Sequence, residues 1–184
     1  MSKRVLVTVP MPLRGLILSA EALARIEAVA DVEMNEDGRN WTAEELAEKL
    51  PGVDVMISSW GIVNLDEQVL AKADQLKLVA HAAGSVKGFV TDALYDRGIR
   101  VTHAAARIAE SVAEYSLLTA MMGLRRPQDY DRRMKAGEAW PKAKDDPIYE
   151  IRGKQVGLLG MGYVGRCSAR AFRSVGAEVW AYDP

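Results

Sequence analysis

Residues 154–184 read KQVGLLGMGYVGRCSARAFRSVGAEVWAYDP, and this stretch decides the fold of the second half of the chain. Residues 156–159 form a short apolar run that is typical of a buried strand. Glycine then occupies the three fixed positions of a G-x-G-x-x-G pattern, at Gly160, Gly162 and Gly165. The pattern predicts a strand, a tight turn and a helix that begins at the turn.

The glycines of such a turn favour a bound pyrophosphate. The first permits the tight turn, the second lets the backbone approach the phosphates, and the third lets the helix pack closely on the strand. Unpaired N–H groups and the positive end of the helix dipole attract a phosphate without any lysine. The predicted phosphate-binding turn comprises Gly160, Met161, Gly162, Tyr163, Val164 and Gly165.

A helix with one apolar stripe is predicted after the turn. The stripe residues recur every three or four positions, and Gly176 ends the helix: Val164, Cys167, Ala171 and Val175. Because Cys167 lies on this stripe and is the only cysteine, we interpret it as a small core residue.

Asp183 follows the next predicted strand, residues 178–182, twenty-three positions after Gly160. An acidic side chain at this place accepts hydrogen bonds from the ribose of a dinucleotide and repels the 2′-phosphate of NADP. The sequence therefore predicts NAD as the cofactor. An S-adenosylmethionine methyltransferase shares the first turn and the acidic residue, but Gly165 and the preceding α/β segment favour a dinucleotide enzyme.

The composition excludes several classes of partner. There are 24 Lys and Arg against 25 Asp and Glu, so a broad field that would hold nucleic acid or an anionic membrane is not expected. No apolar run approaches the ~20 residues that span a bilayer. The apolar run at residues 5–9 is too short for a signal peptide. We expect a cytoplasmic protein with a small-molecule ligand and no metal site.

Residues 1–105 show strand-like runs that alternate with helical ones. Ser19 is a predicted N-cap, and Thr42 with Glu45 has the spacing of a capping box. The alternation predicts an α/β fold, a flavodoxin-like domain with a doubly wound parallel sheet. Its five predicted strands are residues 4–9, 32–34, 53–58, 76–80 and 99–102.

Residues 106–184 are predicted to hold an interdomain helix and the strand-helix-strand start of a Rossmann domain. The helix, at about residues 107–124, has almost no polar face, so we expect it to be buried on most sides.

The order of these segments resembles that of the NAD-dependent D-2-hydroxyacid dehydrogenases. The match is sharpest at residues 112–114 (Val-Ala-Glu), 153–154 (Gly-Lys), the three glycines and 181–184 (Ala-Tyr-Asp-Pro). The resemblance implies a homodimeric oxidoreductase that interconverts a 2-hydroxy acid and a 2-oxo acid. In that family the first domain carries much of the substrate site, and the second binds NAD and supplies the catalytic side chains. Gly88 and Ile108 stand where members often have Asp and Asn, which indicates a divergent member.

Two segments of the first domain resemble the substrate-binding loops of the family. The first comprises Gly84, Ser85 and Val86, whose backbone N–H groups would hold the substrate carboxylate. It follows the carboxyl end of a predicted strand, where ligands collect in open α/β sheets. The second is Trp60 with Gly61, and Trp60 would form an apolar wall over the substrate.

No catalytic residue is assigned. The family's catalytic Arg and its His with an acidic partner lie after the second strand of the nucleotide domain, so we expect the chain to be an inactive fragment. Its open sheet predicts aggregation or partial disorder over residues 151–184. His81 and His103 are interpreted as structural, and Lys87 as a solvated surface residue. The alternative function is a non-catalytic protein that binds a small carboxylate through residues 84–86.

Overall fold

The structure is a computed structural model that describes residues 2–140 and 147–184. The chain divides into two compact units, Met1–Ala105 and Ala106–Pro184.

The first unit is built on a five-stranded parallel sheet with the strand order β2-β1-β3-β4-β5. This is the order of flavodoxin-like folds, so the predicted fold class is confirmed. Each predicted strand overlaps an observed one. The strands are β1 (Lys3–Val7), β2 (Ala30–Met34), β3 (Val55–Ser58), β4 (Leu78–His81) and β5 (Arg100–His103).

Alternating side chains explain why helices cover both faces of this sheet. On β1, Leu6 belongs to one core, whereas its neighbours Val5 and Val7 belong to another. The Leu6 core continues across the sheet through Met56 and Val79, which lie in register. Successive residues of a strand point to opposite faces, so the two cores lie on opposite sides of one sheet. The helices of the unit are α1 (Leu13–Ile17), α2 (Ala20–Glu27), α3 (Ala43–Lys49), α4 (Glu67–Leu70) and α5 (Asp92–Asp96).

The predicted helix caps are confirmed. The Ser19 hydroxyl accepts a hydrogen bond from the Ala22 N–H. Thr42 and Glu45 form a complete capping box, because each side chain accepts a bond from the other's backbone N–H. Glu45 also receives two hydrogen bonds from Arg39, and these bonds together lower the pKa of Glu45 to about 2. Helix α1 was not predicted, because five residues are too few to show a helical period.

The second unit contains two long helical segments followed by a strand-helix-strand unit with two parallel strands. Its small core consists of Ile151, Phe172 and Ala177, with Leu117 and Leu124 packed against it. The elements are α6 (Ala105–Arg125), α7 (Pro127–Lys135), β6 (Gln155–Leu159), α8 (Tyr163–Ser174) and β7 (Glu178–Tyr182).

The predicted apolar stripe of α8 is wrong by one position. The buried residues are Ser168 and Phe172, whereas Val164 is exposed and Cys167 is only partly buried. One residue turns a helix by about 100°. The large Phe172 ring packs in the core, so the side of α8 that carries Phe172 faces the core. Cys167 lies to one side of this face and is not a core residue.

The predicted burial of α6 is also wrong for the described residues. Only Ala109 and Ala113 are buried, whereas Tyr115 is 67% and Leu118 is 53% exposed. An apolar helix face is buried only where a neighbouring element covers it. Within residues 106–140 and 147–184, the core of Ile151 and Phe172 covers the side of α6 that carries Leu117.

The β6–β7 sheet is equally open. Leu159 is 90% exposed, and the neighbouring Trp180 and Tyr182 are also exposed. The expectation of aggregation or partial disorder stays a prediction.

Among the described residues, no helix combines the length and the hydropathy that crossing a bilayer requires.

Candidate functional site

The glycine-rich turn connects the carboxyl end of β6 to the start of α8 and contacts the carboxyl end of β7. Gly160 has a φ of +95°, a conformation that residues with a Cβ rarely adopt. Its N–H donates a hydrogen bond of 2.7 Å to the Tyr182 carbonyl. This bond extends the β6–β7 pairing, in which Leu159 lies opposite Tyr182, by one residue into the turn.

The other two glycines differ in their surroundings. A Cβ on Gly165 would lie 2.1 Å from the Gly160 carbonyl oxygen, so the helix packs on the turn at a distance that only glycine allows. A Cβ on Gly162 would meet no heavy atom within 4 Å. The space over Gly162 is therefore open, as a site for a pyrophosphate requires.

The backbone N–H groups next to Gly162 in sequence have no partner among the described residues. Gly162 is the N-cap of α8 and has no side chain that could cap the helix. Among the described residues, the N–H groups of residues 161–165 donate to no protein acceptor. Each of the first N–H groups of a helix needs a partner outside it, and an anion is a favourable one.

Arg166 is a residue of this site that sequence reasoning missed. Its Nε donates a hydrogen bond of 2.7 Å to the Met161 carbonyl, so its guanidinium group lies against the turn. Its position directly after Gly165, the third glycine of the pattern, is the sequence feature that could have indicated its place near the turn. The contact holds a positive charge beside Met161, the residue before Gly162.

Asp183 lies at the same edge of the sheet. It directly follows Tyr182, whose carbonyl accepts the Gly160 N–H, so the backbones of Gly160 and Asp183 are close. Asp183 is exposed. The structure thus brings the predicted turn and the predicted ribose-binding residue together, at the ends of adjacent parallel strands.

The second candidate site, in the first unit, is the 82–88 loop, which leaves the carboxyl end of β4. Its base is fixed by hydrogen bonds from Ala82 N–H to the Ser58 carbonyl (2.7 Å) and from Ala104 N–H to the Ala83 carbonyl (2.9 Å). Beyond this base, the N–H groups of Gly84, Ser85 and Val86 donate to no acceptor among the described residues. The loop therefore presents free donors at these three residues, and the flanking N–H groups of Ala83, Lys87 and Gly88 also donate to no acceptor among the described residues. Lys87, on the same loop, is exposed.

Trp60 lies on the adjacent loop, after the end of β3, and its side chain is 56% exposed. The next residue, Gly61, has a φ of +83°, and a Cβ on it would lie 2.0 Å from Asn40 Nδ2. Trp60 is therefore presented to solvent on a loop whose next residue must be glycine. The loops that carry Trp60 and residues 84–86 follow neighbouring strands of one sheet.

Both histidines lie at strand ends and have partners. His81 is buried, and its Nδ1 lies 3.0 Å from the Ser58 hydroxyl. Burial, and to a smaller extent the nearby His103, lower the pKa of His81. His103 is exposed, and its Nδ1 accepts a hydrogen bond of 3.2 Å from the Ala105 N–H. Within residues 2–140 and 147–184, no group of three or more His, Cys, Asp or Glu side chains is placed to hold a metal ion.

Comparisons with known proteins agree with this geometry. The family model of the D-isomer specific 2-hydroxyacid dehydrogenase catalytic domain matches residues 11–179. D-3-phosphoglycerate dehydrogenase of Methanocaldococcus jannaschii is 29% identical, over 91% of this chain and 31% of its own length. Glyoxylate reductase of Korarchaeum cryptofilum is 26% identical, over 100% of this chain and 53% of its own length.

A crystal structure of a Pyrococcus horikoshii protein is also similar. It is 27% identical with a TM-score of 0.78, and the match covers 100% of this chain and 53% of that chain. The chain thus spans from about a third to about half of the length of these relatives.

Proposed function

Because the chain belongs to the D-isomer specific 2-hydroxyacid dehydrogenase family, we propose that it forms part of an enzyme that interconverts a 2-hydroxy acid and a 2-oxo acid, with NAD as the hydride carrier. Residues 1–105 supply substrate contacts, and residues 106–184 supply the adenosine half of the cofactor site. The relatives named above act on phosphoglycerate and glyoxylate by their names, and we propose only the shared class, a small 2-hydroxy or 2-oxo acid.

The observation that carries the proposal is the turn of residues 160–165. The open space over Gly162 accommodates a pyrophosphate, and the free N–H groups of residues 161–165 point to an anionic ligand. The Asp183 carboxylate then accepts hydrogen bonds from the adenosine ribose. It disfavours the 2′-phosphate of NADP, because two negative groups would approach each other. NAD supplies the hydride chemistry when bound.

The 82–88 loop is proposed to hold the substrate carboxylate through the N–H groups of Gly84, Ser85 and Val86. A hydrogen bond to a charged group contributes roughly 1.5 to 3 kcal/mol, so three donors give useful affinity. Trp60, on the neighbouring loop, forms an apolar wall for the substrate.

The reaction also needs a cation that orients the substrate and a group that moves the proton on the substrate oxygen. We assign neither role to a residue of this chain. We therefore expect residues 1–184 alone to bind nucleotide and carboxylate without turnover, and the complete enzyme to be a homodimer.

The proposal is tested by calorimetric titration of the 184-residue chain with NADH and NADPH. NADH is expected to bind more tightly than NADPH. Gly162→Val is expected to abolish NADH binding, because its side chain fills the space of the pyrophosphate. Gly123→Val is the control, since a Cβ there also meets no atom within 4 Å but lies on α6.

Each outcome separates two functions. Equal affinity for NADH and NADPH would remove the role of Asp183, and unchanged affinity in Gly162→Val would remove the phosphate-binding turn. The chain is also titrated with oxalate as a probe of the carboxylate site. If oxalate binds and neither nucleotide does, the chain is a non-catalytic protein that binds a small carboxylate.

A further inference from the structure

The His81 side chain makes two contacts at the base of the 82–88 loop, one with Phe89 and one with Ser58. The loop begins immediately after His81 and ends immediately before Phe89. Both side chains are buried, and their rings lie 4.6 Å apart at an angle of 43°. The two ends of the loop are therefore held together by a contact between rings.

The same ring also connects the loop to the neighbouring strand. His81 lies in register with Ser58 on β3, and its Nδ1 is 3.0 Å from the buried Ser58 hydroxyl. One residue separates Ser58 from Trp60, so the hydrogen bond links the starts of both candidate substrate loops. Backbone bonds fix the loop at Ala82 and Ala83, and the Val86 carbonyl accepts bonds from the N–H groups that follow the loop. Gly84 and Ser85 have no backbone partner among the described residues.

We propose that His81 is a positioning residue that holds the base of the 82–88 loop against the end of β3 and so fixes the orientation of the N–H groups of Gly84, Ser85 and Val86. The inference rests on the proposed function, since it takes these groups as the carboxylate site. His81 touches no substrate and acts through the loop.

Histidine suits this position better than an apolar ring. A phenylalanine would keep the contact with Phe89 but leave the Ser58 hydroxyl buried without a partner. The adjacent Ser59 hydroxyl is already buried and has no partner among the described residues. A second unsatisfied hydroxyl at the same strand end would be relieved by movement of the loop.

A neutral imidazole ring also suits the position of His81 better than a charged one. The ring is buried among Ser58 of β3, Phe89 of the loop and His103, which lies in register on β5. Burial, and to a smaller extent His103, lower the pKa of His81, which favours the neutral ring. The tautomer of the neutral ring sets whether Nδ1 accepts from the Ser58 hydroxyl or donates to it, and both arrangements keep the hydrogen bond.

The experiment compares His81→Phe with His81→Asn in the 184-residue chain. Phenylalanine keeps a ring without the hydrogen bond, whereas an asparagine amide reaches the place of Nδ1 and keeps the bond. The first readout needs no ligand and is the backbone NMR order parameter of residues 84–86. We expect values near ~0.85 in the wild type, values below ~0.6 in His81→Phe and near-native values in His81→Asn.

The second readout is the affinity for oxalate, a probe of the carboxylate site. His81→Phe is expected to weaken oxalate binding about tenfold, as for the loss of one hydrogen bond to a carboxylate. NADH affinity should stay unchanged, because the turn of residues 160–165 lies in the other unit. Ser58→Ala removes the hydroxyl alone and is expected to mobilise residues 84–86 in the same way, which keeps the test possible if His81→Phe does not fold.

Unchanged order parameters and oxalate affinity in both His81→Phe and Ser58→Ala would overturn the proposal. A wild-type chain that fails to bind oxalate would instead refute the carboxylate site. In that case the order parameters of residues 84–86 still decide whether His81 fixes the loop.

Discussion

Among single residues, the three glycines of the turn have different structural roles. Gly160 adopts a left-handed conformation, Gly162 leaves open space, and Gly165 permits a close contact between helix and turn. The first and third therefore serve the fold, and the second leaves open the space in which we propose that a pyrophosphate binds.

This division predicts that two alanine substitutions differ in their effect on stability. Gly165→Ala is expected to lower the free energy of unfolding of the second unit by roughly 1 to 3 kcal/mol, because its Cβ would press on the backbone carbonyl of Gly160. Gly162→Ala should leave that stability nearly unchanged, since its Cβ meets open space. Urea denaturation followed by the NMR amide signals of β6 measures both. A stable Gly165→Ala variant would show that the turn can be repacked.

The sequence predicts residues well where one physical requirement selects one residue type. Glycine is required at residues 160 and 165, and the capping box requires the pair Thr42 and Glu45. Arg166 and His81 escape such reasoning, because their roles depend on Met161 and on Ser58, whose positions only the folded chain defines.

At the scale of elements, helix α3 shows how a local signal sets a boundary. Thr42 and Glu45 satisfy N–H groups at the start of the helix, and Leu46 anchors the helix in the core. Thr42→Ala is expected to cost about 1 kcal/mol of the stability of the first unit, because one donor of the helix start loses its partner. Urea denaturation followed by the amide signals of β1 measures this cost.

Thr119→Ala provides the control for this measurement. The Thr119 hydroxyl bonds back to the Tyr115 carbonyl on α6, an arrangement that adds little to helix stability. Equal losses in the two variants would contradict the importance of the capping box.

The elements also show where sequence patterns fail. Strands and caps were placed correctly, since both depend on neighbours in sequence. The stripe of α8 was misplaced, because the spacing of Val164 and Cys167 competes with that of Ser168 and Phe172, and only packing decides between them. The predicted burial of α6 is too high. The apolar composition of a helix shows that its faces favour contact with other elements, but it does not show which elements make that contact.

At the scale of the whole molecule, each unit carries its own half of the proposed chemistry. The first presents free donors on a loop at the carboxyl edge of a complete five-stranded sheet. The second presents the glycine-rich turn of residues 160–165 at the carboxyl edge of a two-stranded sheet. Both placements follow the rule that ligands of open α/β sheets bind beyond the carboxyl ends of the strands. Membership of the family follows from the match over residues 11–179.

The most direct test of the account is an NMR titration of the isotope-labelled 184-residue chain with NADH. The account predicts that the largest shifts occur at the backbone amides of residues 161–165 and at Asp183, while residues 84–86 are unaffected. Shifts that are absent from residues 161–165, or that spread evenly over the exposed apolar surfaces, would contradict it.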